Sequence, residues 1–207
     1  MQYLVTMTTH VPRDVSEATV DVVRGREAAR AAELAAAGHL LRLWRPPLQP
    51  GEWRSLGLFA ADDVDRLEGV LVSMPLRIWR RDEVTPLAPH PNDPPAPPPH
   101  RRGAREFLTT FTLVARPDDA PGDVDGARAA EAGAARELAR RGNLVRLWAL
   151  PGAGRALGLW QTEDGERLEE ILAALPLRPW LEIDTVPLAE HPNDPARRLT
   201  AVPDPKH

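Results

Sequence analysis

The sequence predicts an α+β protein built from two ferredoxin-like repeats. Each runs β-α-β-β-α-β, and the antiparallel sheets are expected to pair as a pseudo-dimeric α+β barrel. Three observations predict it. First, GHLLRLWRPP (Gly38 to Pro47) returns as GNLVRLWALP (Gly142 to Pro151), and SMPLRIWRRDEVTPLAPHPNDP (Ser73 to Pro94) returns as ALPLRPWLEIDTVPLAEHPNDP (Ala174 to Pro195). Second, each copy alternates strand-like and helix-like runs in the same order. Third, both helices of a copy would cover one sheet face, so a second copy in the same chain offers a cover for the other.

The copies span residues 1–94 and 105–195. Their early parts align at one constant offset and their later parts at an offset three residues smaller, because the loop RPPLQPGEWR is longer in the first copy. Residues 95–104 are Pro-rich with few apolar side chains and read as a stiff, exposed linker. Residues 196–207 are polar and Pro-broken, which predicts a flexible tail.

In each copy QYLVTMTT or EFLTTFTLV alternates and forms the first strand. An Ala- and Arg-rich helix follows, about Ser16 to Ala37, closed by Gly38; its counterpart closes at Gly142. HLLRLW and SLGLF are two short strands, the latter matched by ALGLW. DDVDRLEGVLVS places Val64, Leu67 and Leu71 at helical spacing behind an Asp start. DEVTPL and EIDTVPL are the last strands, and the proline inside each points to an edge or a strand end.

Composition excludes whole chemistries. The 207 residues carry a net charge of −4 and no cysteine, and Lys206 is the lone lysine. Thiol nucleophiles, disulfides and Schiff-base catalysis are therefore excluded from the core. There is no Gly-rich phosphate loop and no pair of histidines at metal-ligand spacing, so no metal site and no cofactor are expected. The mild charge argues against a nucleic-acid partner. No apolar run approaches the ~18 residues of a spanning helix, and MQYLVTMTTH has no basic leader pattern. A cytoplasmic protein without a membrane partner is expected.

Two patterns single out candidate site residues. Counting from Glu27, Val20, Val23, Ala31 and Leu34 lie at helical spacing on its own face, and Val124, Ala127, Ala135 and Leu138 do the same for Glu131. A carboxylate held against apolar groups has its charged form disfavoured and its pKa raised, which suits a general base for a carbon acid. The other reading is a carboxylate at the stripe's edge, paired to Arg24 or Arg30. In the second strand, alternation predicts Leu41 and Leu43 under the helices, with Leu40, Arg42 and Trp44 facing the other way. Arg146 and Trp148 repeat this, opposite Val145 and Leu147. Each Arg–Trp pair either stacks at a surface or interface or lines a pocket.

Arg54 and Arg155 flank the third strand, and Arg77 and Arg178 recur in the PLR phrase. All four either hold a substrate carboxylate or coat the surface. His39 becomes Asn143, so any role in substrate binding belongs to the first copy. His90 and His191, in the repeated HPND, either close over a ligand or end a strand, and the strand-ending role is favoured. Trp79 and Trp180 read as packing residues.

The layout RGREAARAAELAAAGHLLRLWR…LGLF…MPLRIW…VTPLAPHP resembles the muconolactone delta-isomerase family over nearly all of each copy. The resemblance implies a ferredoxin-like fold, ring-type homo-oligomers, and cofactor-free isomerisation of a butenolide lactone in aromatic catabolism. It places Glu27, and Glu131 in the second copy, where the family carries a helix glutamate suggested as base. There are departures. The family's arginine inside the second strand falls on Leu41 and Val145, one position before Arg42 and Arg146. Its aromatic after PL is Arg77 or Arg178, and LWR becomes LWA at Ala149.

The expected function is a cofactor-independent isomerase transferring a proton on a small acidic lactone or enolisable metabolite, with the first copy favoured as the working site. Glu27 and Glu131 are the expected bases. Arg42, Trp44, Arg146, Trp148, His39, Arg54 and Arg155 are expected to bind substrate. The alternatives are a non-catalytic small-molecule-binding or assembly protein on the same scaffold, and a cyclase-type enzyme of secondary metabolism.

Overall fold

The computed structural model describes residues 1–101, 103–114 and 122–200, with side chains to residue 197. The element order is β1 (Gln2–Thr9), α1 (Glu17–Ala36), β2 (Leu40–Arg45), β3 (Arg54–Ala60), α2 (Val64–Val72) and β4 (Arg80–Pro89). The second copy repeats it as β5 (Arg105–Leu113), α3 (Asp123–Arg140), β6 (Leu144–Ala149), β7 (Arg155–Thr162), α4 (Gly165–Ala173) and β8 (Leu181–Glu190), followed by α5 (Pro195–Thr200). Residues 201–207 of the expected tail and Arg102 of the expected linker lie outside the described residues.

The chain divides into two compact units, and neither coincides with one copy. Unit 1 is Met1–Pro86 with Ala189–His207, and unit 2 is Leu87–Leu188. Each last strand thus begins in one unit and ends in the other.

In unit 1, β1 pairs antiparallel with β3, from Gln2↔Ala60 to Thr8↔Arg54, and β3 pairs with β2. The end of β8 completes this side through Trp44↔Glu190 and Arg45↔Ala189. Tyr3, Val5, Leu34, Leu40, Phe59, Leu67 and Leu71 form the core between sheet and helices. In unit 2 the order is β8-β5-β7-β6, with the end of β4 added through Ala88↔Ala149 and Pro89↔Trp148. Its core gathers Phe107, Leu144, Leu147, Trp160, Leu168 and Leu172. Pro187 sits in the outermost long strand of this sheet, where a missing N–H is tolerated.

Local signals set the helix ends. The Ser16 side chain caps α1 by accepting from Thr19 N–H, and Asp63 and Asp164 cap α2 and α4 likewise. Val64, the first residue of α2, is exposed; Leu67 and Leu71 carry the buried face. Gly38 and Gly142 take φ of 76° and 77°, the left-handed conformation that ends α1 and α3. There Gly38 N–H donates to Ala35 O and His39 N–H to Leu34 O, and the bonds at Ala139 and Leu138 repeat the motif.

The strand that follows does not alternate as expected. The register shifts between Leu40 and Arg42, and again between Leu144 and Arg146. The extra residue of this bulge puts Leu40 with Leu43, and Leu144 with Leu147, on the helix side of the sheet. Leu41 and Val145 are absent from those cores, so Leu40 and Leu144 take their expected places while Leu43 and Leu147 face the helices as expected.

Candidate functional site

Each unit contains a cavity whose lining includes the carboxylate that stood out in its helix. The unit 1 cavity, about 370 Å³, is lined by Glu27 and Arg24 of α1, Leu43 and Arg45 of β2, Trp53, Met74, Arg80 and His191, among others. The unit 2 cavity, about 490 Å³, is lined by Glu131 and Arg128 of α3, Arg155 of β7, His90 and a mostly apolar wall that includes Leu144, Leu147, Trp160 and Leu175.

Glu27 is 8% exposed. Its Oε2 accepts from Leu76 N–H at 2.8 Å and its Oε1 from Arg80 Nη1 at 3.0 Å. Burial pushes its pKa up, while the Leu76 N–H and the Arg80 charge pull it back. Its ion-pair partner is therefore Arg80. Arg30, expected as a possible partner, pairs with Glu33, and Arg24 stacks over Trp53 at 4.4 Å. Glu131 accepts from Leu177 N–H at 3.0 Å through Oε2, and burial also pushes its pKa up.

His90 and His191 are half-buried cavity residues. Nδ1 of His191 accepts from Asn193 N–H at 3.1 Å, and Nδ1 of His90 accepts from Asn92 N–H at 3.1 Å. In the neutral ring the proton therefore sits on Nε2, the remaining donor. Burial, then the Arg45 charge, lowers the His191 pKa to about 4; burial lowers that of His90. Each histidine follows the last strand of one copy and lines the cavity around the other copy's glutamate.

The expected substrate binders divide. Arg155 lines the unit 2 cavity beside Glu131. Arg42 and Trp44 do not line the Glu27 cavity. Arg42 stacks over Trp44 at 4.7 Å and pairs with Asp194, while Trp44 is 1% exposed. Arg146 likewise stacks over Trp148 at 5.2 Å and pairs with Asp93. Ordinary alternation accounts for this, since Arg42 and Leu43 face opposite sides and Leu43 faces the cavity. Arg54 pairs with Glu52 near solvent at 3.5 Å. The His39 ring bonds Ala60 O through Nδ1 at 3.2 Å, and Asn143 donates to Gln161 O at 3.3 Å. The His39–Asn143 exchange thus keeps one strand-joining bond.

Sequence reading passed over Arg80 and Arg128, used Arg45 only as a reason to favour the first copy, and favoured a strand-ending role for both HPND histidines. A usable signal existed for the histidines: HPND recurs intact while the strand before it diverges. None existed for Arg80, which becomes Leu181 in the second copy.

The family model for muconolactone delta-isomerase matches the chain twice, over residues 1–93 and 105–194. The muconolactone delta-isomerase of Cupriavidus pinatubonensis is 35% identical over 92 residues, 44% of this chain and 97% of that protein. Muconolactone delta-isomerase 1 of Acinetobacter lwoffii is 30% identical over 92 residues, 44% of this chain and 93% of that protein. Among solved structures, a mutant chlorite dismutase from Candidatus Nitrospira defluvii aligns over 93% of this chain and 92% of its own, with a TM-score of 0.63 at 10% identity. A heme-binding protein from Thermus thermophilus aligns over 95% and 94%, with a TM-score of 0.58 at 14% identity. At such identities these two likenesses concern the fold alone.

Proposed function

The chain belongs to the muconolactone delta-isomerase family, and from that premise we propose that it is a cofactor-independent isomerase. It shifts a double bond in a small acidic lactone, or a similar enolisable metabolite, by moving one proton between two carbons. The observation that carries the reading is a helix carboxylate held by one backbone N–H at a cavity in both units, buried at Glu27 and half-buried at Glu131. Burial raises the basicity such a group needs against a carbon acid.

In this reading the carboxylate takes the proton from one ring carbon and returns it to another, so no net proton or electron is consumed. The neutral histidine donates from Nε2 to the oxygen on which enolate charge develops. Arg128 and Arg155 in unit 2, or Arg24 and Arg45 in unit 1, hold the substrate carboxylate. The apolar wall excludes water. A soluble homo-oligomer acting in the cytoplasm fits this role, and among the described residues no helix is long and apolar enough to cross a membrane.

The test is proton exchange. Muconolactone and related butenolides in D₂O should take up deuterium at the ring carbons with a shifted double bond. The Glu27→Gln/Glu131→Gln double variant should lose roughly 10²–10⁴-fold of that rate. A folded wild-type protein that exchanges no lactone would sink the reading. A non-catalytic binding protein remains the alternative, and the Glu27–Arg80 pair favours it for unit 1.

A further inference from the structure

The two sites descend from one sequence and now differ around the carboxylate. In unit 1 both oxygens of Glu27 are engaged, one by Leu76 N–H and one by Arg80 at 3.0 Å. Arg80 is itself pinned, its Nε 2.6 Å and its Nη2 3.0 Å from the Asp82 carboxylate. The side chains of Arg80 and Asp82 are each 2% exposed. Protonating Glu27 would weaken a charge-assisted bond to a buried guanidinium that has no water to turn to.

Unit 2 has no such lock. Leu181 stands where Arg80 does, and Ile183 where Asp82 does. Glu131 keeps the backbone bond on Oε2, while its Oε1 accepts no hydrogen bond among the described residues. The cavity is larger, about 490 against 370 Å³. Ala149 replaces Arg45, which leaves more apolar wall for a ring. Two further arginines line each cavity, Arg24 and Arg45 in unit 1 and Arg128 and Arg155 in unit 2, but only in unit 1 is the carboxylate already neutralised, by Arg80.

Resting on the isomerase reading, we infer that the two sites are unequal: the unit 2 cavity transfers the proton, and the unit 1 cavity binds a carboxylate ligand without exchanging its protons. The shifts agree. Against burial, Glu131 has only the Leu177 N–H, whereas Glu27 has both Leu76 N–H and Arg80.

Deuterium exchange of muconolactone in the full chain tests this. Glu131→Gln alone should lower the rate at least ~100-fold, where two equal sites would keep about half. Adding Arg80→Leu and Asp82→Ile to that variant gives Glu27 the surroundings of Glu131 and should restore at least about tenfold of the lost rate. In the ¹⁵N-labelled Glu131→Gln protein, muconolactone should shift the Trp53 indole resonance, since Trp53 lines the unit 1 cavity. Retention of about half the rate in Glu131→Gln overturns the inequality, even if the triple variant fails to fold. An unmoved Trp53 resonance at saturation overturns the binding role of unit 1. Wild-type silence on every lactone overturns the isomerase reading and this inference with it.

Discussion

Arg42 and Asp194, 152 positions apart, form a two-pronged ion pair inside unit 1. Arg42 Nε lies 3.2 Å and 3.3 Å from the two carboxylate oxygens, and Nη2 lies 3.0 Å from Oδ2. Asp194 Oδ1 also accepts from Leu43 N–H at 3.1 Å. Arg146 and Asp93 repeat the pair in unit 2, with Leu147 N–H at 2.7 Å. The arginine thus anchors the HPND turn to the strand beside the cavity, and the anchored turn presents its histidine there.

Asp194→Ala should destabilise the protein by about 3 kcal/mol, because it leaves Arg42 and a backbone N–H without their buried partner. Asp93→Ala should cost less, since Asp93 is 19% exposed against 3% for Asp194. Urea unfolding of both variants checks the order; equal losses would contradict it.

His191 should make stability fall in mild acid. Its pKa drops from the ordinary 6.5 to about 4 in the fold, so the unfolded chain binds the extra proton first. The contribution is complete above about 6.5 and is lost as pH falls toward about 4. Arg45→Ala removes a charge that opposes protonation and should move the His191 NMR titration upward. A His191 titration unmoved by that change would exclude the Arg45 effect.

Arg80→Leu should cost roughly 3–5 kcal/mol, since it leaves Glu27 without its buried cation and Asp82 with Arg77 alone. Arg80→Leu/Asp82→Ile should cost less than Arg80→Leu alone, because the buried Asp82 charge, left with Arg77 alone, goes with the arginine. A double-mutant cycle from denaturant midpoints reads this coupling, and additivity would refute it.

The LGL phrase of both third strands has a steric reason. A Cβ on Gly158 would lie 2.6 Å from the Trp160 indole nitrogen and 3.2 Å from a Phe111 ring carbon; on Gly57 it would meet the Phe59 ring and Met7. Gly158→Ala and Gly57→Ala should each lower stability by about 1–3 kcal/mol. Thermal melts within error of wild type would mean that the rings move aside freely.

The sequence by itself determined the duplication, the order of elements and the glutamate in the helix stripe, because these rest on local periodicity and on comparing the chain with itself. Helix ends were legible too, since Ser16, Asp63 and Gly38 act on bonds within a few residues. It did not determine that Leu40 rather than Leu41 joins Leu43 under the helices, because one bulge residue at Leu41 reverses the alternation before it and leaves no compositional trace. Tertiary structure alone decided that His191 lines the Glu27 cavity and His90 the Glu131 cavity, since those meetings depend on chain crossings over more than 40 residues of separation. It alone decided that Arg80 and Asp82 close around Glu27 while Leu181 and Ile183 leave Glu131 open. A buried charge takes its meaning from the partners that replace its water, and those partners are fixed only when the chain has folded.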